Sequence, residues 1–306
     1  MAVPGIGTSE SLPLAARERG GLRVAAASRR RARLGIAASG GLAILATALL
    51  AAVFAPLVAP HGYDDQDLAR GLQPPVWSGG TWENALGTDQ LGRDILSRLI
   101  YGARTSMLLA GMGVAIASVV GVLVGLISGY FSARLDALIM RIADVQLSFP
   151  YLLFAIAFMA LLGTRMSNLI IVLVLRSWVV YTRLVRVSVL SMKEREFITS
   201  ARALGARDWR ILFRHLAPNV VAPAIVVSTL QLAELIIVES SLSFLGLGVQ
   251  PPIPSWGTMV SQGREYISTA GWLVTLPGLA IVMTVLGTNL LGDALRDILD
   301  PRLKRP

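Results

Sequence analysis

The chain of 306 residues contains no cysteine. Disulfides, thiolate nucleophiles and Cys-ligated zinc or iron–sulfur centres are thereby excluded. Charge is scarce as well. Asp, Glu, Lys and Arg make up 15% of the residues, against about 25% in soluble domains. Lysine is almost missing: Lys193 and Lys304 stand alone, and neither follows a glycine. A phosphate-binding loop of the G-x-x-x-x-G-K type is therefore absent. The two histidines, His61 and His215, lie far apart in sequence. They leave no H-E-x-x-H zinc site and no convincing nucleophile–His–acid set. Work done by such a chain must draw its energy from elsewhere.

What is present is apolar. Hydrophobic residues make up 54% of the chain, and the mean hydropathy is +0.63. This balance points to a multi-spanning membrane protein rather than a soluble enzyme or a disordered chain. The length allows about five to seven helical spans at roughly 20 residues each. Residues 1–33 form a polar, basic tail with Arg29, Arg30, Arg31 and Arg33 just before the first apolar run, 34–59. That run is longer than a signal-peptide core and lacks a clean cleavage site, so it is expected to stay as a first span. A polar stretch to about residue 106 follows. Five further runs, 107–130, 137–162, 168–190, 219–245 and 272–291, each suffice for a helical crossing. The expectation is an all-α fold with six transmembrane helices in a domain covering 34–303, a loop over 192–218 and a short tail, 304–306.

Six spans place both ends on one side. With that side taken as the cytoplasm, 21 basic residues lie inside and six outside, which supports cytoplasmic termini. The net charge of +9 then reflects topology and anionic lipid rather than nucleic acid.

Several local patterns bear on function. Gly113, Ala117, Gly121, Gly125 and Gly129 recur every four residues and set a small-residue stripe on one face of the second span, where another helix can approach. Pro150, Pro223 and Pro277 lie in or near spans and would kink them. In the fifth span Gln231, Glu234 and Glu239 share a broad polar arc, since Glu234 falls about 60° to one side of Gln231 and Glu239 about 80° to the other. Two readings fit: a water-filled path along this helix, or buried hydrogen bonds to neighbours. Arg176 lies roughly 12 Å deep in the fourth span, where it either snorkels or pairs with one of those glutamates. Ahead of the second span, Thr88 or Asp89 is placed to cap a helix, and Asp94 with Arg98 to form an i,i+4 pair. In the 192–218 loop a helical stretch runs to Leu204, with Gly205 as its stop. Asp208 would cap a second short helix that ends at Pro218. Such a pair of helices either docks into a partner's groove or lies on the membrane surface.

The loop resembles the EAA loop of ABC importer permeases, E-A-A-x-x-x-G-x9-I-x-L-P. Ala201, Gly205 and Pro218 match that pattern, while Thr199, Ser200, His215 and Ala217 depart from it. Residues 86–106, 239–259 and 289–302 are similar to segments of dipeptide and oligopeptide permeases of the "C" type. The resemblance covers about 34–303 and is shared with nickel importers. It implies a type I permease fold in the bacterial cytoplasmic membrane. It also implies a homologous second permease, an extracytoplasmic solute-binding protein delivering peptide, and two ATPase subunits that bind ATP and magnesium. The chain itself would need no cofactor and hydrolyse nothing. Contact with the ATPase is expected at Ala201, Arg202, Ala203, Leu204, Gly205, Ala206, Asp208 and Pro218. The translocation path is expected near Gln231, Glu234 and Glu239. Two alternatives stay open: a nickel or other small-solute importer, and a self-sufficient channel or ion-coupled transporter using Glu234, Glu239 and Arg176.

Overall fold

The computed structural model describes residues 37–299. The tails 1–33 and 304–306 lie outside the described residues. Nine helices of eight residues or more organise the described residues: α1 (Ala37–Val53), α2 (Ile95–Tyr130), α3 (Ala133–Leu147), α4 (Tyr151–Leu162), α5 (Met166–Met192), α6 (Glu196–Ala203), α7 (Asp208–Phe244), α8 (Trp256–Gly263) and α9 (Trp272–Leu299). No strand occurs among the described residues. Four helices, α2, α5, α7 and α9, are each long and apolar enough to cross a membrane, and α1 is a shorter apolar helix. Outward positions such as Val119, Leu279 and Val282 are exposed and apolar, as a lipid-facing surface requires.

The third expected span, 137–162, is not one straight helix. It is broken into α3 and α4, which meet at 88°. The cause is local. Pro150 donates no backbone N–H and pushes Phe149 out of the helical region, so α3 ends at Leu147 and α4 starts at Tyr151. Pro223 and Pro277 break nothing and remain inside α7 and α9.

Two boundaries also move. α2 begins at Ile95 rather than near 107, and its cap is Asp94, whose carboxylate accepts from the Ser97 N–H at 2.7 Å. Thr88 and Asp89 do not cap it. Arg98 does not pair with Asp94 but reaches Asp89 at 3.5 Å, the Tyr63 carbonyl and Gln262. Arg93 also pairs with Asp89, at 2.6 Å, and these groups are buried. A run of polar residues thus becomes the core of a compact layer at this end of the bundle.

The second short helix does not end at Pro218. It runs through a π-helical segment, Ile211–Leu216, straight into the fifth span. Pro218 occupies the first turn of the regular helix that follows, a position that tolerates a missing N–H. The wide π turns just before it absorb the change of register.

The stripe on α2 is the main packing seam, against α5. A Cβ on Gly121 would sit 2.5 Å from Cβ of Tyr181 and 2.6 Å from the Trp178 carbonyl oxygen. Only glycine allows that approach. At the far end of α2, a buried cluster joins Leu126, Val185, Val189, Ile198, Ile211, Leu212 and Val220. The loop carrying α6 is therefore rooted in the bundle rather than draped over it.

Candidate functional site

Two polar constellations stand out, one at the loop end of the bundle and one at mid-depth. At the loop end, α6 stops at Ala203, and Gly205 turns the chain with φ +81°. That left-handed conformation favours glycine. The tip is open: Arg202, Ala203, Leu204, Gly205, Asp208 and Trp209 are exposed, with Leu204 at 88%. Ala201 and Ala206 are half-buried, and Pro218 is exposed a few turns away. Trp209 stacks on Phe213, with ring centroids 5.4 Å apart. The root of the same unit is closed, since Ile198, Ile211, Leu212 and Leu216 are buried.

Polar contacts add direction to this packing. The Tyr130 hydroxyl, at the end of α2, donates to Oδ1 of Asp208 at 2.6 Å. The Arg202 guanidinium lies over the Tyr130 ring, 5.9 Å from its centroid. Arg186 of α5 pairs with Asp136 of α3, Nη2 to Oδ2 at 2.6 Å, and Ser128 of α2 donates to the same carboxylate. Of the expected ATPase-contact residues, Arg202, Ala203, Leu204, Gly205 and Asp208 form an exposed knuckle with Ala201 and Ala206 half-buried in it, and Pro218 stands apart in α7.

At mid-depth the structure brings Arg176, Gln231 and Glu234 together. Arg176 forms an ion pair with Glu234. Gln231 Nε2 donates to the other Glu234 oxygen at 2.8 Å. Arg176 also lies over the Tyr151 ring, 5.5 Å from the centroid. Of the two positions open to Arg176, pairing with a glutamate is the one adopted.

Glu239 does not join this cluster. It is fully buried and accepts from Ser106 at 3.2 Å and Ser243 at 2.7 Å. Ser106 in turn accepts from the Trp256 N–H at 3.2 Å. Glu239 therefore ties α2, α7 and α8 together. Tyr151 and Gln146 were not marked by the sequence patterns. Pro150, next to one and close to the other, is the signal that could have found them.

The molecule so defined is a polytopic helical membrane protein with a rooted loop and a charged cluster at the depth of its spans. Residues 121–305 match the family described as "Binding-protein-dependent transport system inner membrane component". Residues 31–75 match "N-terminal TM domain of oligopeptide transport permease C". The chain belongs to this family of transport permeases. It is 46% identical over 268 residues to the di/tripeptide transport system permease protein DppC of Pseudomonas aeruginosa, covering 87% of this chain and 88% of the relative. It is 43% identical over 266 residues to the dipeptide transport system permease protein DppC of Escherichia coli, covering 87% and 89%. It is 41% identical over 279 residues to the glutathione transport system permease protein GsiD of Pectobacterium atrosepticum, covering 90% of each.

Proposed function

We propose that this chain is one of two membrane-spanning permease subunits of an ATP-driven importer that carries dipeptides or oligopeptides across the bacterial cytoplasmic membrane. Family membership and the peptide-named relatives support the cargo class. An extracytoplasmic binding protein hands over the peptide. A homologous permease completes the path. Two ATPase subunits bind ATP and magnesium and perform the hydrolysis, so this chain catalyses no reaction and needs no cofactor of its own. The surplus of basic residues in the tails and in the loop over 192–218 supports cytoplasmic termini.

One observation carries the coupling role. The knuckle from Ala201 to Asp208 is exposed at its tip and buried at its root. The exposed Leu204, Trp209 and Phe213 offer an apolar face to an ATPase groove. The buried root, with the Tyr130–Asp208 bond, passes any displacement of the tip to α2, α5 and α7. Pro218 lies within α7, where the π segment gives way to regular helix, on the continuous path from the tip to the span. Transport then requires that ATP-bound and ATP-free partners hold the knuckle differently. The path runs along α7 past Gln231 and Glu234, with Glu239 as the fixed anchor beside it.

The test is a mild-detergent pull-down from native membranes. A Cβ on Gly205 meets nothing within 4 Å, but its φ of +81° strains any side chain, so Gly205→Arg adds bulk and strain and Gly205→Asn controls for the strain. Wild type recovers an ATPase and Gly205→Arg does not, while Gly205→Asn, which tolerates the left-handed conformation, retains it. ATPase recovered equally with all three would refute the docking site. No ATPase with wild type would refute the importer reading.

A further inference from the structure

The mid-depth cluster has an address and an opening. Arg176 lies ten residues from the start of α5 at Met166, and Glu234 lies ten residues from the end of α7 at Phe244. At about 1.5 Å per residue, both sit about 15 Å from the same end of the bundle. That is the middle of a hydrocarbon core about 30 Å thick. Ionisable groups at that depth are costly and mark substrate pathways.

A pair that served packing alone would be sealed. This one is not. Arg176 is 28% and Glu234 35% exposed. Arg176 lines a cavity of about 300 Å³ shared with Gln146, Phe149, Tyr151 and Phe154. The cavity exists because α3 and α4 splay at Pro150. Its walls are fixed: Gln146 donates to the Leu175 carbonyl and accepts from Trp178 Nε1. Glu234, at the other end of the ion pair, lies outside the cavity lining and is reached through its own exposed face.

We propose that Arg176 and Glu234 form a transit site for the two charged ends of a free peptide, with its carboxylate on Arg176 and its ammonium on Glu234, which Gln231 Nε2 holds in place. The inference rests on the peptide-importer reading above. The guanidinium fork matches a carboxylate in a bidentate way that an ammonium cannot. The Tyr151 ring keeps the guanidinium in place at the cavity wall while it changes partner. Charge balance favours the exchange. A zwitterionic peptide and an internal ion pair both carry zero net charge, so swapping one pair for two brings no unpaired charge to mid-membrane. A peptide with one end blocked would leave either Arg176 or Glu234 unmatched at that depth.

The experiment uses the complete importer, with binding protein and ATPases, in proteoliposomes. A mixture of isotopically labelled di- and tripeptides with free ends is supplied, and import per ATP hydrolysed is read by mass spectrometry. The informative variant is Arg176→Gln combined with Glu234→Gln. It removes both charges together, and replacing a structural ion pair by a neutral pair costs little. The expected result is at least a tenfold fall in peptide imported per ATP. Import per ATP equal to wild type, with or without a parallel change in ATP turnover, overturns the proposal. If the double variant does not assemble, Arg176→Lys decides. It keeps the charge and loses the fork, and a fall of about tenfold in peptide imported per ATP is expected. Unchanged import per ATP overturns the proposal. A wild-type complex that imports no peptide refutes the peptide reading and this site with it. Wild-type import with an unaffected variant refutes this site alone.

Discussion

The Tyr130 hydroxyl and the Asp208 carboxylate meet at 2.6 Å, joining the last residue of α2 to the first residue of α7 across the loop end of the bundle. Both helices begin or end at this contact. A push on the exposed knuckle therefore reaches two spans at once, one through a hydrogen bond and one through the continuous chain of α7.

Removing that bond should weaken coupling more than stability. Asp208 is exposed, so Tyr130→Phe is expected to cost at most about 1 kcal/mol of stability. Import per ATP should nevertheless fall about fivefold, which corresponds to a coupling loss of about 1 kcal/mol. Parallel measurement of the melting temperature and of import per ATP in the reconstituted complex checks both. Unchanged import per ATP would mean that the loop transmits through its apolar root alone.

The α2–α5 seam gives a sharper contrast. Gly121→Ala places a Cβ 2.5 Å from Tyr181 Cβ, against two helix backbones that have little room to part. The expected cost is about 1–3 kcal/mol. Gly111, on the same helix, has nothing within 4 Å of its would-be Cβ, so Gly111→Ala should be neutral or gain about 0.5–1 kcal/mol. Thermal unfolding of the two purified variants in detergent should move in opposite directions or leave only Gly121→Ala lowered. Equal melting temperatures would show that the seam yields more than its geometry implies.

The spans were legible because apolar runs of the right length and a four-residue glycine spacing leave few alternatives. The same logic failed wherever polar residues find partners distant in sequence. Arg98 looks like a solvent-facing residue of a polar stretch, yet it is buried against Asp89 and Gln262, and α2 starts three residues before it. Pro218 looks like a helix stop, yet it sits in the first turn of the regular helix that follows the π segment. The polar arc of the fifth span correctly united Gln231 with Glu234, which are one turn apart. It could not separate Glu239 from them, because the serines that claim Glu239 come from α2 and from the end of α7. The cavity beside Arg176 depends on an 88° bend. Pro150 signals that a break exists, but not its angle.

The Glu239 hub yields a prediction in which shape and charge are separated. Ser106 and Ser243 both donate to its carboxylate, and Ser106 accepts the N–H that starts α8 at Trp256. Glu239→Gln keeps one acceptor oxygen. Its amide N–H₂ can donate to a serine that turns its hydroxyl to accept, so stability should change by less than about 1 kcal/mol. Glu239→Leu leaves both hydroxyls buried without an acceptor, each at about 1–3 kcal/mol. The loss should appear first where the hub seats α8. Limited proteolysis within 246–271 is expected to accelerate in Glu239→Leu and to stay at the wild-type rate in Glu239→Gln, with the melting temperature of the leucine variant lowered alone. Equal damage by both substitutions would point instead to a requirement for the ionised carboxylate. A leucine variant as resistant as wild type would show that the seat of α8 is held by the apolar contacts of Trp256.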